Sequence, residues 1–377
     1  MRIERAELVP YALPFREPYV TARGTLRRRE MILLRLHTDE GIVGLGEAVP
    51  LSLRGGDDLA RVERRLARAT RRLARQDISD FRGEAALQAA VGAFVHAAAG
   101  RRLPPPVAAA LEMALFDLAG KATSTPLWRL LGADAALPVR CNATLVAGQP
   151  DRVAESARAW AASGFETFKL KLGVGDDLRQ VAAVREALGE SALIRVDANA
   201  SWSREDAIAI LRRLEPSRIE LAEQPTAGLR DMAAVAEATE IPIAADESVT
   251  TGKEAARAVR AEACELATVK LAKTGGIGGV AGIAQHLPVY LSSALDGPVG
   301  IAAAAHAAQA IYREAPDPGV AHGLATQRLF ADAIASRECE LSDGELRVPD
   351  GPGLGVEIDE SALARLRLRD GDYGGSE

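Results

Sequence analysis

The chain has 377 residues, of which 48% are hydrophobic, 26% are charged and 4% are aromatic. At roughly 150 residues per domain, this length predicts two domains or one large α/β barrel with additions. The composition excludes a disordered or fibrous chain, and the formal charge of −6 gives a nucleic-acid partner no electrostatic support.

The cysteine usage and the absence of long apolar runs bear on location. Cys141, Cys264 and Cys339 are widely spaced and show neither a disulfide framework nor a zinc-binding pattern. Such usage is typical of a reducing cytoplasm. Met1 to Pro14 has the pattern of a strand rather than of a targeting segment, and the alanine-rich run from Val107 to Ala119 is too short to span a membrane. We therefore expect a soluble, cytoplasmic protein.

The first 120 residues predict a small antiparallel sheet followed by helices. The strand candidates, in which apolar and polar residues alternate, are Ile3–Pro10, Met31–His37 and Ile42–Ala48. Leu59–Ala74 carries arginines opposite leucine and valine at helical spacing, which predicts a solvated helix. Val107–Gly120 is apolar nearly all round and predicts a buried helix.

From about Pro138 onward, short apolar strands alternate with amphipathic helices. The strand candidates are Val139–Leu145, Thr167–Leu172, Leu193–Val196, Ile219–Ala222, Pro242–Ala245, Ala267–Leu271, Pro288–Leu295 and Gly319–Leu324. Eight strands separated by helices favour an α/β fold of the closed (β/α)8 barrel type over an open doubly wound sheet.

Charged residues lie at or just past the ends of six of these strands. They are Lys171, Asp197, Glu223, Asp246, Lys270 and Asp296, separated by 26, 26, 23, 24 and 26 residues. This spacing matches one βα unit, so in a barrel all six converge on the C-terminal face, where such enzymes keep their chemistry. A single charge at a strand end is equally consistent with a surface loop, but six at matching positions favour a site.

Asp197, Glu223 and Asp246 come from adjacent strands and bring three carboxylates into a small volume. They would repel one another without a counter-charge, which a divalent cation would supply. Hard oxygen ligands suit Mg²⁺, with Mn²⁺ as a possible substitute, better than zinc. The alternative is a salt-bridge network with arginine. We expect Arg195 to be a poor partner because we expect it to point away from Asp197 on the same strand.

Lysines flank this predicted metal site. Lys169 and Lys171 are two residues apart on one strand and share a face, and Lys270 follows the sixth strand. A lysine buried near a cation and another ammonium should have a lowered pKa, which suits a general base. We therefore predict that the cation binds a substrate carboxylate while a lysine removes the proton alpha to it.

These motifs together resemble the enolase superfamily, and within it the muconate-lactonizing branch. The matching segments are Lys169-Leu170-Lys171, Asp197-Ala198-Asn199, Glu223-Gln224-Pro225, Asp246-Glu247-Ser248, and Lys270 followed by Gly275-Gly276. The stretch from Thr21 to Pro50 is similar to the capping domain of that branch, so the resemblance covers nearly the whole chain.

The resemblance implies two domains. An N-terminal α+β capping domain would comprise residues 1–120, completed by residues 340–377, and the barrel would comprise residues 121–339. It also implies that the capping domain, with a loop at Phe15–Thr25, closes over the substrate and sets specificity.

The resemblance further implies the roles of individual residues. Asp197, Glu223 and Asp246 would bind Mg²⁺, and the catalytic residues Lys171 and Lys270 would face each other across a small carboxylate substrate. Lys169, Asn199 and Glu247 would support the site, with Glu247 orienting Lys270 through an ion pair. Barrels of this branch also often form homo-oligomers.

Two later segments bear on the reaction. Ser292-Ser293-Ala294-Leu295-Asp296 and His322-Gly323-Leu324-Ala325-Thr326 resemble the seventh- and eighth-strand segments of o-succinylbenzoate synthases. Dipeptide epimerases carry a D-x-D motif at the eighth strand, since the substrate ammonium needs carboxylate partners. Here no acidic residue occurs between Gly319 and Phe330. The resemblance therefore favours an o-succinylbenzoate synthase, a lyase of menaquinone biosynthesis, with Ser293 and Asp296 near the substrate.

Other functions stay open at this point. A dipeptide epimerase or an N-acylamino acid (N-succinylamino acid) racemase would use the two lysines alternately as acid and base. A barrel kept only as a binding scaffold would be free to lose a metal carboxylate or a lysine, and none is missing. We expect Lys273 to be a loop charge, and we expect helix six, at Val280–Leu287, to be barely two turns long.

Overall fold

The computed structural model describes residues 1–22, 24–52, 55–74, 76–78, 91–96, 103–311, 319–369 and 371–374. The strands are β1 Ile3–Thr21, β2 Gly24–Thr38, β3 Val43–Ala48, β4 Val139–Arg140, β5 Asn142–Leu145, β6 Thr167–Lys171, β7 Leu193–Asp197, β8 Ile219–Glu223, β9 Ile243–Ala245, β10 Leu266–Val269, β11 Val289–Leu291, β12 Ala335–Arg337, β13 Glu340–Ser342, β14 Glu345–Arg347 and β15 Glu357–Ile358.

The helices are α1 Leu59–Leu73, the helical residues 91–96 (α2), α3 Pro105–Ala122, α4 Leu127–Leu130, α5 Pro150–Ala161, α6 Asp177–Leu188, α7 Arg204–Leu214, α8 Leu229–Ala238, α9 Gly252–Arg260, α10 Leu271–Thr274, α11 Ile277–Ala284, α12 Pro298–Ala310 and α13 Glu360–Leu366. Within the described ranges, none of these helices combines the length and the apolar character that a bilayer crossing needs.

The N-terminal sheet is antiparallel, in the order β1-β2-β3, and packs on helix α3. The predicted buried helix is confirmed, because most side chains of α3 are buried. Gly46 on β3 makes this close packing possible: a Cβ at that position would lie 2.0 Å from the carbonyl oxygen of Ala110. The predicted loop at Phe15–Thr25 is instead the paired ends of β1 and β2; Arg23 within it lies outside the described residues.

The second sheet is parallel and contains seven strands in the order β11-β10-β9-β8-β7-β6-β5. The predicted eighth strand is reduced to His322, which bridges Cys141, and Gly323, which bridges Ser292. These two parallel bridges join the segment to both edges of the sheet, and the predicted barrel architecture is confirmed. Helix α11 has only eight residues, as expected for a shortened sixth helix.

One predicted strand divides in the structure. Val139–Arg140 (β4) leaves the barrel and pairs with β14, and only Asn142–Leu145 (β5) joins the parallel sheet. The C-terminal segment also reaches the N-terminal sheet, since Arg367 bridges Tyr11. The proposed domain boundaries at residues 120 and 340 stay a prediction.

A buried carboxyl links the N-terminal sheet to the barrel. Glu47 on β3 accepts hydrogen bonds from the Tyr11 hydroxyl at 2.8 Å and from the Gly297 backbone N–H at 2.7 Å, just before helix α12. Burial, together with the charge of Asp296, raises the pKa of Glu47 to about 8. Burial also raises the pKa of Asp296 itself. Two carboxyls that resist ionisation therefore lie at this interface.

These raised pKa values predict how stability depends on pH. In the unfolded chain Glu47 loses its proton near its ordinary pKa of 4.5, whereas in the folded chain it keeps the proton up to about pH 8. The folded state thus binds more protons, and Glu47 should lower the free energy of unfolding by about 1.4 kcal/mol per pH unit across this range.

Urea unfolding at several pH values tests this expectation with the Glu47→Gln variant. The substitution should flatten the decline of stability between pH 5.5 and 7.5, whereas Glu4→Gln, at an exposed position, should leave it unchanged. An undiminished decline in Glu47→Gln would show that Glu47 is ionised in the folded protein.

Candidate active site

The three carboxylates predicted to bind metal end adjacent strands. Asp197 is the last residue of β7, Glu223 is the last of β8 and lies opposite Asp197 in the ladder, and Asp246 directly follows β9. All three side chains are fully buried. Parallel strands that end at one edge bring their terminal residues together, which is why the βα spacing predicted this cluster.

Lysine ammonium groups lie between these carboxylates. The Nζ of Lys169 is 2.5 Å from Glu223 Oε2 and 3.0 Å from Asp197 Oδ2. The Nζ of Lys171 is 2.5 Å from the same Asp197 oxygen and 3.2 Å from Asn199 Oδ1. Ammonium groups therefore balance the carboxylate charge that, unpaired, would be costly to bury.

Asp246 is held by two further lysines. Lys270 Nζ lies 2.5 Å from Asp246 Oδ2, and Lys273 Nζ contacts Oδ1. The expectation that Lys273 is a loop charge is wrong, because its side chain is buried. Helix α10 begins directly after Lys270, so Lys273, three residues later, returns to the same side.

The pKa shifts follow from these ion pairs. Burial is the largest single influence and would lower the pKa of Lys169 and Lys171, but the surrounding acidic groups, Asp197 foremost, together outweigh it and raise both pKa values. Burial would raise the pKa of Asp197, but Lys169 and Lys171 hold it well below its usual range. The lowered lysine pKa, which the sequence analysis expected beside a bound cation, is not found for Lys169 and Lys171 while they are paired with the carboxylates.

The donor set fits a hard cation. In the described part of the chain, no three Asp, Glu, His or Cys side chains converge closely enough to hold an ion as they stand, because lysines lie between the carboxylates. The residues nevertheless offer only oxygen ligands, as Mg²⁺ prefers. Moreover, the buried Glu223 Oε1 has no hydrogen-bond partner among the described residues. An ammonium group bridging Asp197 and Glu223 shows that this volume accepts positive charge.

A polar layer lies beneath the carboxylates inside the barrel. The expectation that Arg195 points away from Asp197 is wrong, because residues two apart on a strand share a face. The Arg195 guanidinium donates to Glu220 at 2.7 Å and to the Ala321 carbonyl at 2.6 Å, and lies 5.0 Å from the Tyr290 ring centroid. The Tyr290 hydroxyl in turn donates to Glu223 Oε2 at 2.5 Å.

Sequence reasoning missed Tyr290. Tyr290 is on β11, two residues before Ser292. Because side chains two residues apart on a strand face the same side, as Lys169 and Lys171 do, Tyr290 could have been predicted to face the barrel interior with Ser292. Burial and the charge of Glu223 raise the pKa of Tyr290, so its hydroxyl keeps the proton that it donates.

Of the other residues predicted to support the site, Asn199 contacts the carboxylate cluster, whereas Ser293 and Asp296 contact each other. The backbone N–H of Asn199 donates to Asp197 at 2.9 Å, and its side-chain amide donates to Glu247 at 3.3 Å. Pairing of Glu247 with Lys270 stays a prediction. Ser293 and Asp296 bond to each other at 2.9 Å in the loop after β11, so this pair shapes the loop.

A pocket opens above the cluster between the barrel and the N-terminal sheet. It is lined by Tyr19, Thr21, Arg29, Pro50, Leu51, Thr144, Lys169, Lys171, Asn199, Lys270, Ser292, Ser293, Ala294, Leu295 and Thr326. Arg29, on β2, was not predicted from the sequence. Its guanidinium donates to the carbonyl oxygen of Pro50, just after β3, at 2.6 Å and, across the interface, to that of Ala294 at 3.0 Å. The second contact is one that only the folded chain reveals.

The buried ion pairs predict an asymmetric cost of substitution. Asp246→Asn removes the charge that faces two buried ammonium groups and, in chelator-containing buffer, should lower the free energy of unfolding by about 3–5 kcal/mol. Asp231→Asn, at an ion pair whose carboxylate is 49% exposed, should cost at most about 1 kcal/mol. Chemical denaturation measures both, and equal small losses would contradict a buried, charged cluster.

Comparisons with known proteins agree with this geometry. The chain matches "Mandelate racemase / muconate lactonizing enzyme, N-terminal domain" over residues 4–132 and "Enolase C-terminal domain-like" over residues 152–362. The N-succinylamino acid racemase of Thermus thermophilus is 33% identical over 378 residues, which cover 98% of each chain.

Solved structures of related enzymes have the same fold as this chain. The muconate lactonizing enzyme from Pseudomonas fluorescens, complexed with muconolactone, has a TM-score of 0.88 at 27% identity and covers 97% of this chain and 99% of that one. A dipeptide epimerase from Enterococcus faecalis V583, complexed with Mg and the dipeptide L-Leu-L-Tyr, has a TM-score of 0.85 at 26% identity, over 95% and 100% of the chains. The chain therefore belongs to the enolase superfamily, with the N- and C-terminal domains of its mandelate racemase and muconate lactonizing enzyme members.

Proposed function

We propose that this enolase-superfamily enzyme removes the proton alpha to a carboxylate of its substrate, with Lys171 and Lys270 as the two catalytic residues. The observation that carries the proposal is the strand order. Strands β7, β8 and β9, which supply the three carboxylates, lie between β6 and β10, which supply the two lysines. Both lysines line one pocket, so a carboxylate held at the centre has an ammonium group on either side.

Asp197, Glu223 and Asp246 are the residues that would hold Mg²⁺, or Mn²⁺ in its place. Bound there, the cation would polarise the substrate carboxylate and offset the negative charge that develops on proton removal. Support comes from the oxygen-only donor set, from Glu223 Oε1, which has no hydrogen-bond partner within the described ranges, and from the related dipeptide epimerase complexed with Mg.

The two lysines have different roles in this proposal. Lys171, positioned by its hydrogen bond to Asn199 Oδ1, accepts the alpha proton once Asp197 no longer holds its ammonium form. Lys270 stays protonated on the opposite side and balances negative charge. In a dehydration Lys171 returns its proton to the departing hydroxide, whereas in a racemisation Lys270 delivers a proton to the other face.

The charge of the pocket bears on the substrate. Arg29, Lys169, Lys171 and Lys270 line it, and none of its lining residues in the described chain is acidic. Such a pocket suits a substrate with a second anionic group and disfavours a free ammonium, which needs carboxylate partners. We therefore propose o-succinylbenzoate synthase activity, the dehydration of a succinyl-hydroxy-cyclohexadiene carboxylate, which carries two carboxylates.

Racemisation of N-succinylamino acids is the second candidate. The Thermus thermophilus racemase aligns over 98% of this chain, and a succinylated amino acid also presents two carboxylates. Dipeptide epimerisation receives less support, because the pocket lining offers no acidic partner to the dipeptide ammonium.

Product analysis separates these reactions. We expect the purified protein with Mg²⁺ to form o-succinylbenzoate, detected by absorbance and mass spectrometry, and excess EDTA to abolish turnover until Mg²⁺ is restored. Alpha-deuterium exchange into N-succinylamino acids without any dehydration would favour the racemase, and activity indifferent to chelator would contradict both reactions.

Lysine substitutions test the assignment of the two catalytic residues. Lys171→Met should lower turnover by at least about 10²–10⁴-fold, the usual contribution of a general base, and Lys270→Met should do the same. Lys253→Met, at an exposed position, serves as the control. Retained turnover and retained alpha-proton exchange in Lys171→Met would exclude Lys171 as the base.

Arg29 provides a test of the two-carboxylate substrate. Arg29→Met should raise KM for a succinylated substrate by about 10–100-fold, because a hydrogen bond to a charged group contributes roughly 1.5–3 kcal/mol. KM for the matching N-acetyl compound should change much less, and the exposed Arg213→Met should affect neither. Equal changes for both compounds would show that Arg29 only supports the pocket wall.

A further inference from the structure

Tyr290 makes the two oxygens of Glu223 unequal. Its hydroxyl donates to Glu223 Oε2 at 2.5 Å, and Lys169 Nζ lies 2.5 Å from that same oxygen. Glu223 Oε1 is buried and has no hydrogen-bond partner in the described part of the chain. One carboxylate oxygen is therefore occupied twice and the other is left for a ligand.

The ring of Tyr290 is held in the orientation that aims its hydroxyl. The Arg195 guanidinium lies 5.0 Å from the ring centroid, a cation–π distance. Arg195 is itself fixed by Glu220 at 2.7 Å and by the Ala321 carbonyl at 2.6 Å. A continuous chain of contacts thus runs from Ala321, in the segment that closes the barrel, through Arg195 and Tyr290 to Glu223.

Packing alone does not explain a tyrosine at this position. Tyr290 is fully buried and packs with Leu221, Ala244 and Leu266 inside the barrel. Phenylalanine would fill the same volume, and the phenolic oxygen adds a buried polar atom that is costly unless it is hydrogen-bonded. The bond to Glu223 is therefore the contribution that distinguishes tyrosine here.

We infer that Tyr290 is a positioning residue that holds Glu223 through Oε2, so that Oε1 is the oxygen offered to the cation. The inference rests on the proposed magnesium site and adds to it a residue beneath the ligands. Groups that orient metal ligands in this way typically change metal affinity by about 10–100-fold when removed.

Metal affinity measured without substrate tests the inference. Mg²⁺ titration by calorimetry, with Mn²⁺ binding followed by electron paramagnetic resonance, should show about 10–100-fold weaker binding in full-length Tyr290→Phe than in the wild-type protein. The variant keeps the ring and its contact with Arg195, so a purely structural role of Tyr290 would leave the affinity unchanged.

Tyr11→Phe is the matched control. Tyr11 is also fully buried and also donates its hydroxyl to a buried glutamate, Glu47, at 2.8 Å. The distinction from Tyr290 is that Glu47 is not one of the proposed metal ligands. We expect Tyr11→Phe to change stability to a similar degree and to leave the affinity for Mg²⁺ at the wild-type value.

A double-mutant cycle shows whether Tyr290 acts through Glu223. In the Glu223→Gln background, Tyr290→Phe should weaken Mg²⁺ binding by less than about 3-fold, because the ligand that it positions has already been altered. Full additivity, or wild-type affinity in Tyr290→Phe, would overturn the inference and leave the proposed metal site intact. Absence of Mg²⁺ binding in the wild-type protein would overturn both.

Discussion

Three carboxylates and four ammonium groups are buried together where the central strands of the barrel end. Asp197, Glu223 and Asp246 are each paired with lysine. Removing one partner from such a pair leaves a charge in a low-dielectric interior, at a cost of several kcal/mol. The barrel can hold these side chains only as a set, and this constraint fixes both the geometry of the site and the chemistry open to it.

The same ion pairs also constrain the proposed proton transfer. A lysine that pairs with Asp197 is held protonated and cannot accept a proton, so Lys171, the proposed base, would act only if another cation took over that carboxylate. Arg195 and Tyr290 keep Glu223 in place from below, while Arg29 and Tyr19 reach the pocket from the N-terminal sheet. Residues of the barrel interior therefore hold the carboxylates from below, while residues of the N-terminal sheet enclose the pocket above them.

The sequence predicted the positions of the charged side chains well where a repeating geometry governs them. The spacing of about one βα unit between Lys171, Asp197 and Glu223 corresponds to adjacent parallel strands, and the structure pairs these residues along the ladder. Arg195 was misplaced only because the period of two was not applied to it. The barrel fold was predicted from the same alternation of strands and helices, although the eighth strand is reduced to His322 and Gly323.

Other features depend on contacts that no local pattern carries. Lys273 reaches Asp246 because helix α10 begins immediately after Lys270, and a helix boundary is difficult to predict to one residue. Arg29 lines the pocket because β2 of the N-terminal sheet packs beside the loop at Ala294. In place of the predicted loop at Phe15–Thr25, the described residues on either side of Arg23 belong largely to β1 and β2, which pair almost to their ends.

The most direct measurement is a crystal structure of the full chain grown with Mn²⁺, with the metal located by its anomalous scattering. We expect one peak bound by oxygens of Asp197, Glu223 and Asp246, at distances nearer the roughly 2.0–2.1 Å of Mg²⁺ sites than the longer ones of Ca²⁺ sites, with Lys169 displaced from its bridging position. A map without a peak at saturating Mn²⁺, with the lysines still paired to all three carboxylates, would show that the cluster is a structural salt-bridge network and not a metal site.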